Sequence, residues 1–267
     1  QSYYLLEETL EYEKPEAVVF NVLSMKYDTP QKEAYNRMTL DGMKWSKSKV
    51  DDIRASMMED EEFADYVFPI LRYHSRWQEL TSDDFKYLFT RRPVSQSGYY
   101  MRIDVKPAQT FPKPKKLANY EFGENSWKYL EKMRKLCEEK GIQLILVKAP
   151  SLYPAWYDEW EDQIEEYAKT YELPYYNFLE LTDEVGIDFT KDTYDGGLHL
   201  NLSGAEKMGA YFGKILREEF QVPDRRNDEK IASVWAEKCA AYYDMEKRQQ
   251  EELDTYGYLK MFNSDKE

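Results

Sequence analysis

Histidine and cysteine are nearly absent from this chain. It holds two of each in 267 residues: His74, His199, Cys137 and Cys239. None lies within metal-ligand spacing of another, which excludes a Cys/His zinc site and a disulfide framework. Both cysteines fall in helical patterns, KYLEKMRKLCEEKG and IASVWAEKCAAYY, where buried free thiols are the expectation. Long apolar runs are lacking too. No stretch approaches the roughly 20 residues that cross a bilayer, so no membrane span is expected in this chain. No signal peptide opens it, and no Gly-rich phosphate loop occurs, so no cofactor is expected. Positive charge is in short supply. Lys plus Arg number 37 against 51 Asp plus Glu, a net −14, and a polyanion would be repelled, which argues against nucleic acid as a partner.

What is present is enough apolar material to build a core, 42% of residues, so disorder throughout is excluded. Tyrosine is abundant at 24. Its ring and hydroxyl suit the wall of a polar, sugar-like groove, although a compositional bias would give the same count.

Periodicity sets out the elements. Residues 1–12 read as a helix, with Tyr4, Leu5, Leu6 and Leu10 on one face, and Pro15 ends it. Residues 17–23 are short, apolar and β-branched, the pattern of a buried parallel strand with neighbours on both sides. A helix leading at once into such a strand gives the expectation that the chain begins inside a domain, N-terminally truncated. Residues 26–116 read as a mainly helical insertion that caps the sheet, and 93–116, rich in Pro, Gly, Ser and Lys, as a loop or linker. The α/β rhythm resumes with a helix to Lys140, capped by Asn125 or Ser126, and strands at 142–147 and 173–178 that bracket a helix at 155–171. A further helix covers about 203–219. The expected fold is α/β, a three-layer parallel sheet with helices on both faces. It occupies residues 1–220, and 221–267 form a charged helical extension that either wraps back or serves as a partner helix.

His199 is the leading candidate for chemistry, because His is the one side chain that normally titrates near neutral pH. It lies in Thr193-Tyr-Asp-Gly-Gly-Leu-His-Leu-Asn-Leu-Ser-Gly-Ala205, after the third strand and before a helix. Active sites of open α/β sheets sit at the carboxyl ends of strands. Gly196 and Gly197 allow a sharp turn. Asp195, four residues before the histidine, or Asp192, seven before, can orient the ring. Two serines, Ser24 and Ser151, also follow strands, but neither sits in the Gly-flanked sharp turn that exposes a nucleophile. His74 lies between Arg72 and Arg76 beside Trp77, a cluster able to hold a carboxylate, phosphate or sugar ring. It is equally able to pair with the acidic runs at 59–62 and 83–84. Asp183 and Glu184 read as a solvated face rather than a glycosidase pair.

The His199 segment resembles the last block of the SGNH (GDSL-like, flavodoxin-like) hydrolases, in which a nearby Asp and His complete a catalytic triad and Asn, Gly and Ala lead into the final helix, as Asn201, Gly204 and Ala205 do. More narrowly, the chain is similar to SGNH-like proteins of clostridial-type bacteria, related to the lipoteichoic-acid alanylation and alginate acetylation proteins. The residues that carry this are Gln1-Ser-Tyr-Tyr-Leu-Leu6, Lys14-Pro-Glu-Ala-Val-Val19, Arg72-Tyr-His-Ser-Arg-Trp77, Lys148-Ala-Pro-Ser151 and Pro223-Asp-Arg-Arg226. The likeness touches most of the chain, but only the His199 block is specific to chemistry.

Two departures stand out. The family spacing is Asp-x-x-His, whereas Gly196 stands three before His199, leaving Asp195 and Asp192 both open. The family's nucleophilic serine, in a Gly-x-Ser turn after the first strand, is not visible and is expected upstream of Gln1. The resemblance implies an ester hydrolase or O-acyltransferase acting on acyl esters of cell-envelope glycans outside the cytoplasm, anchored in the membrane through a preceding segment and inactive as this chain alone. It assigns Asn21 to the oxyanion hole and the Arg72, His74, Arg76 and Trp77 cluster to the substrate groove. The alternative is a non-catalytic glycan-binding or scaffold module for a membrane acyltransferase partner.

Overall fold

A computed structural model describes residues 1–68, 81–82, 85, 97–109 and 113–262. Among these the elements follow in the order α1 (Ser2–Tyr12), β1 (Ala17–Asn21), a 3-10 turn (Val22–Lys26), α2 (Glu33–Leu40), α3 (Lys47–Ser56), α4 (Phe63–Val67) and α5 (Glu124–Lys140). Then come β2 (Gln143–Lys148), α6 (Asp158–Thr170), β3 (Tyr175–Asn177), α7 (Thr182–Val185), α8 (Leu202–Glu218) and α9 (Glu229–Tyr256). The three strands form one parallel sheet in the order β1-β2-β3, so the fold is mixed α/β. β2 is central, and Leu144, Ile145 and Leu146 are buried in an unbroken run, as a strand covered on both faces requires. β1 departs from expectation. Its burial alternates, with Val19 44% exposed, because it is the outer strand among those described.

The chain divides into two compact units. The first comprises residues 1–91, 120–146 and 163–175. There α1 packs on α3 and α5, and α3 on α2 and α4. Tyr4, Leu40, Met43, Ile53 and Tyr66 form its core, and each large apolar side chain removed from water contributes about 1.5–3 kcal/mol. Several buried polar groups are tied in. Asn36 Nδ2 donates to the Gln31 and Ser56 carbonyls, and Glu8 accepts from Lys44 N–H and the Ser46 hydroxyl. The helix cap of α5 comes from far away in sequence. Neither Asn125 nor Ser126 caps it; instead Asp28 Oδ1 accepts from Ser126 N–H at 2.9 Å. A Cβ on Gly123 would lie 1.9 Å from the Asp28 carboxyl carbon, so only glycine lets that carboxylate reach the helix start. Gly141, at φ +66°, stops the helix.

The second unit comprises residues 92–119, 147–162 and 176–267. Asn201 caps α8 by accepting from Gly204 N–H, and Asp228 caps α9 through Lys230 and Ile231 N–H. The described part of the extension, 221–262, wraps back. Gln249 is buried on α9, donating to Met101 O at 3.0 Å and accepting from Ile103 N–H at 3.1 Å. Residues 101–109 have no regular secondary structure, yet they are not a linker. Lys106 N–H donates to Thr193 O and its carbonyl accepts from Gly196 N–H; Ala108 N–H donates to Phe189 O, and the Arg102 carbonyl accepts from Leu202 N–H. This strap fixes the loops that carry the candidate site. Both cysteines are free: Cys137 is buried, as expected, but Cys239 is exposed on α9. Among the described residues no helix is long and apolar enough to cross a membrane.

Candidate functional site

The His199 corner is a closed turn. Thr193 and Leu200 pair across its mouth in an antiparallel bridge. Between them Gly196 and Gly197 take φ of +81° and +103°, a region that side chains disfavour. Gly197 is needed for a second reason: a Cβ there would come within 2.6 Å of Leu152 Cδ1, and Leu152 N–H donates to the Gly197 carbonyl at 2.7 Å. Thr193 Oγ1 accepts from Gly197 N–H at 2.8 Å. The double glycine of the sequence thus folds the chain back so that Asp195 and His199 meet.

The meeting is close. His199 Nδ1 lies 2.6 Å from Asp195 Oδ2, while Asp195 Oδ1 accepts from the backbone N–H groups of His199 at 2.8 Å and Leu198 at 3.1 Å. A carboxylate with both oxygens engaged cannot swing away. An ionised carboxylate only accepts, so the ring proton belongs on Nδ1 and the lone pair on Nε2. Nε2 has no protein partner among the described residues, and the histidine side chain is 59% exposed. A contact this open adds at most about 1 kcal/mol to stability; its consequence is orientation. Tyr194 stacks on the imidazole, centroids 5.7 Å apart and planes 6° from parallel. The Arg102 guanidinium sits 4.7 Å from the Tyr194 ring and 4.1 Å from the Phe262 ring, held by a bidentate pair with Asp104. Burial, with the Asp195 charge second, pushes the Tyr194 phenol up, so the ring stays neutral beside the base.

Asp192, the other acid left open by sequence, is elsewhere engaged. It is fully buried; one oxygen accepts from the Ser203 hydroxyl at 2.8 Å, the other from Asp188 N–H at 2.8 Å and Lys207 Nζ at 2.6 Å. Burial works against its ionisation, but the Asp188 amide, Lys207 and Ser203 together outweigh that and hold its pKa below the usual carboxylate value. Asp192 braces the start of α8, and Asp195 is the acid on His199. Asn21 belongs to the first unit, where its side-chain oxygen caps the 3-10 turn by accepting from Leu23 N–H, and Ser24 Oγ donates to the Asn21 carbonyl. Arg72, His74, Arg76 and Trp77 lie outside the described residues. A cavity of about 450 Å³ also belongs to the first unit, lined by Phe20, Ser24 and Met25 at the end of β1 with Tyr3, Tyr129 and Met133. His199 does not line it. Among the described residues no group of three His, Cys, Asp or Glu could hold a metal ion.

Sequence reasoning missed Tyr194, Arg102 and Thr193 at this corner. Thr193 and Tyr194 sat in plain view inside the His199 segment. Arg102 was hidden in a stretch read as linker, although the alternation of Met101, Ile103 and Val105 with Arg102 and Asp104 is the period of an extended, tethered chain. The chain matches no protein-family model, and no curated protein or solved structure is significantly similar to it.

Proposed function

We propose that the Asp195–His199 corner is the general-base half of a Ser-His-Asp ester hydrolase or O-acyltransferase of the SGNH kind, housed in a three-layer α/β domain. The observation that carries the proposal is the 2.6 Å contact between Nδ1 and Asp195, which turns a lone pair on an exposed Nε2 outward. In this mechanism Nε2 takes the proton from a serine hydroxyl as its oxygen attacks an ester carbonyl, and Asp195 stabilises the imidazolium that forms. The same proton then passes to the departing alkoxide, and water or an acceptor hydroxyl releases the acyl group. The resemblance puts that serine in a Gly-x-Ser block outside residues 1–267 and makes acylated cell-envelope glycans, outside the cytoplasm, the substrate.

The test compares the natural protein carrying that serine block with the 267-residue chain, against a chromogenic acetyl ester and an O-acetylated cell-wall glycan. Replacing His199 with Ala in the former is expected to lower kcat by at least about 100-fold. Unchanged turnover would overturn the role of His199. Robust turnover by the 267-residue chain that is lost with His199→Ala would overturn the external serine.

A further inference from the structure

Lys148 ends β2, and its side chain is fully buried. Nζ lies 2.6 Å from the Ala149 carbonyl, 3.2 Å from the Ser151 carbonyl and 3.1 Å from Ser151 Oγ. A neutral amine has two N–H donors and one lone pair. The two carbonyls can only accept, so they take both N–H groups and leave the lone pair to the Ser151 hydroxyl. An ammonium has no lone pair to offer, so in that state the hydroxyl can only accept from it. The same three oxygens match the three N–H groups of an ammonium, so the site holds the charged amine by three bonds and, once the amine has lost its proton, turns a lone pair onto the alcohol. We infer that Ser151 and Lys148 form a second nucleophile–base pair, able to take a small acyl group from an activated ester onto Ser151 Oγ.

The environment agrees with this chemistry. Burial lowers the Lys148 ammonium to about 8, with the Glu161 carboxylate of α6 opposing that shift as the charged group acting on it. The Trp156 ring centroid lies 5.6 Å from Nζ, and its indole N–H donates to Glu161. Just after β3, Phe178 N–H donates to the Lys148 carbonyl. In the step itself the Oγ–H proton passes to Nζ as Oγ bonds to the acyl carbon. The bond from that carbon to the leaving oxygen then breaks, and the ammonium returns its proton to the departing alkoxide. Water, deprotonated by the same amine, releases the acid. Ser151 is only 6% exposed, so a small acyl donor suits it better than a bulky one. The pair is independent of His199, so it stands or falls apart from the function proposed above.

The experiment treats the folded 267-residue chain with a small alkyl fluorophosphonate and maps the adduct by mass spectrometry. Expected is one phosphonyl group on Ser151, with a rate that rises as pH passes through about 8 and then levels off. Ser151→Ala abolishes it, and Lys148→Met, which keeps the stem but has no base, slows it at least tenfold. Lys148→Arg, cationic throughout, is slowed as well. No adduct on Ser151 at pH 9.5 would overturn the inference. So would an adduct whose rate climbs with hydroxide without levelling. The wild-type pH profile decides the matter if the variants fail to fold.

Discussion

The Asp195–His199 pair and the Lys148–Ser151 pair each set a base at hydrogen-bond distance from its partner, yet they are built in opposite ways. The first stands largely in water on a glycine turn, and its geometry comes from backbone: two amides and a carboxylate fix the ring. The second is buried at the end of the central strand, and its character comes from desolvation, with Glu161 opposing. An exposed base depends on being held in place. A buried base needs no special turn, but its burial destabilises the charged form and so couples its protonation to folding.

The largest effect that separates the two is on turnover. Asp195→Asn keeps the size of the orienting side chain but presents it without charge to the ring, and should lower ester turnover by at least about 100-fold. Asp192→Asn, three residues away, should leave kcat within a few-fold and act on stability instead, by about 1–3 kcal/mol at neutral pH. The folded-state pKa of Asp192 is depressed, so its contribution is present above the unfolded value of 3.8 and is lost as pH falls below it. Urea titrations of wild type and variant should therefore converge in acid. Equal losses of turnover in the two variants would erase the distinction between the acids.

Next in size is the pH dependence that the buried pair imposes. Lys148 titrates near 8 folded against 10.5 unfolded, so between those values the unfolded chain binds more protons and stability rises with pH. Below 8 burial of the ammonium carries its full cost, about 3 kcal/mol for a shift of this size. Subtracting the stability curve of Lys148→Met from that of wild type cancels the other groups, and the difference should climb by this amount from pH 8 to 10.5. A flat difference would mean that the ammonium is as well solvated in the fold as outside it. Gly197→Ala comes third. It forces a side chain into a φ of +103° and against Leu152, which should cost about 1–3 kcal/mol. Because Leu152 belongs to the loop after Ser151, this substitution is also expected to disturb both pairs, where Asp195→Asn disturbs one.

The strands and long helices were legible because their signals are local. The run Leu144-Ile-Leu-Val147 announces a covered strand, and Gly141 marks a helix end through the left-handed φ it adopts. Histidine scarcity and the Gly196-Gly197 pair led to the corner itself. Position four against position seven before His199 was not legible, since both aspartates flank a turn whose path depends on φ at two glycines. Asp28 capping α5, Gln249 pinning residues 101–103 and Lys148 meeting Ser151 involve side chains whose direction no periodicity encodes. The strap was misread because Pro, Gly and Ser signal the absence of helix and strand, not the absence of hydrogen bonds.

The smallest expected effect bears on what holds the exposed pair in place. Thr193→Val keeps the shape of the side chain and removes the hydroxyl that accepts from Gly197 N–H at 2.8 Å. That amide is buried, and leaving it without an acceptor should cost about 1–2 kcal/mol, read as a shift in the urea midpoint. Hydrogen exchange should quicken at Gly197 and at the amides of Leu198 and His199, which depend on the same fold of the turn. The bonds around Lys148 and Ser151 do not involve Thr193, so their response to the fluorophosphonate should stay as in wild type. If instead exchange at the turn is unchanged, the glycine dihedrals and the Asp195 carboxylate hold it, and orientation of the base does not depend on the Thr193 hydroxyl.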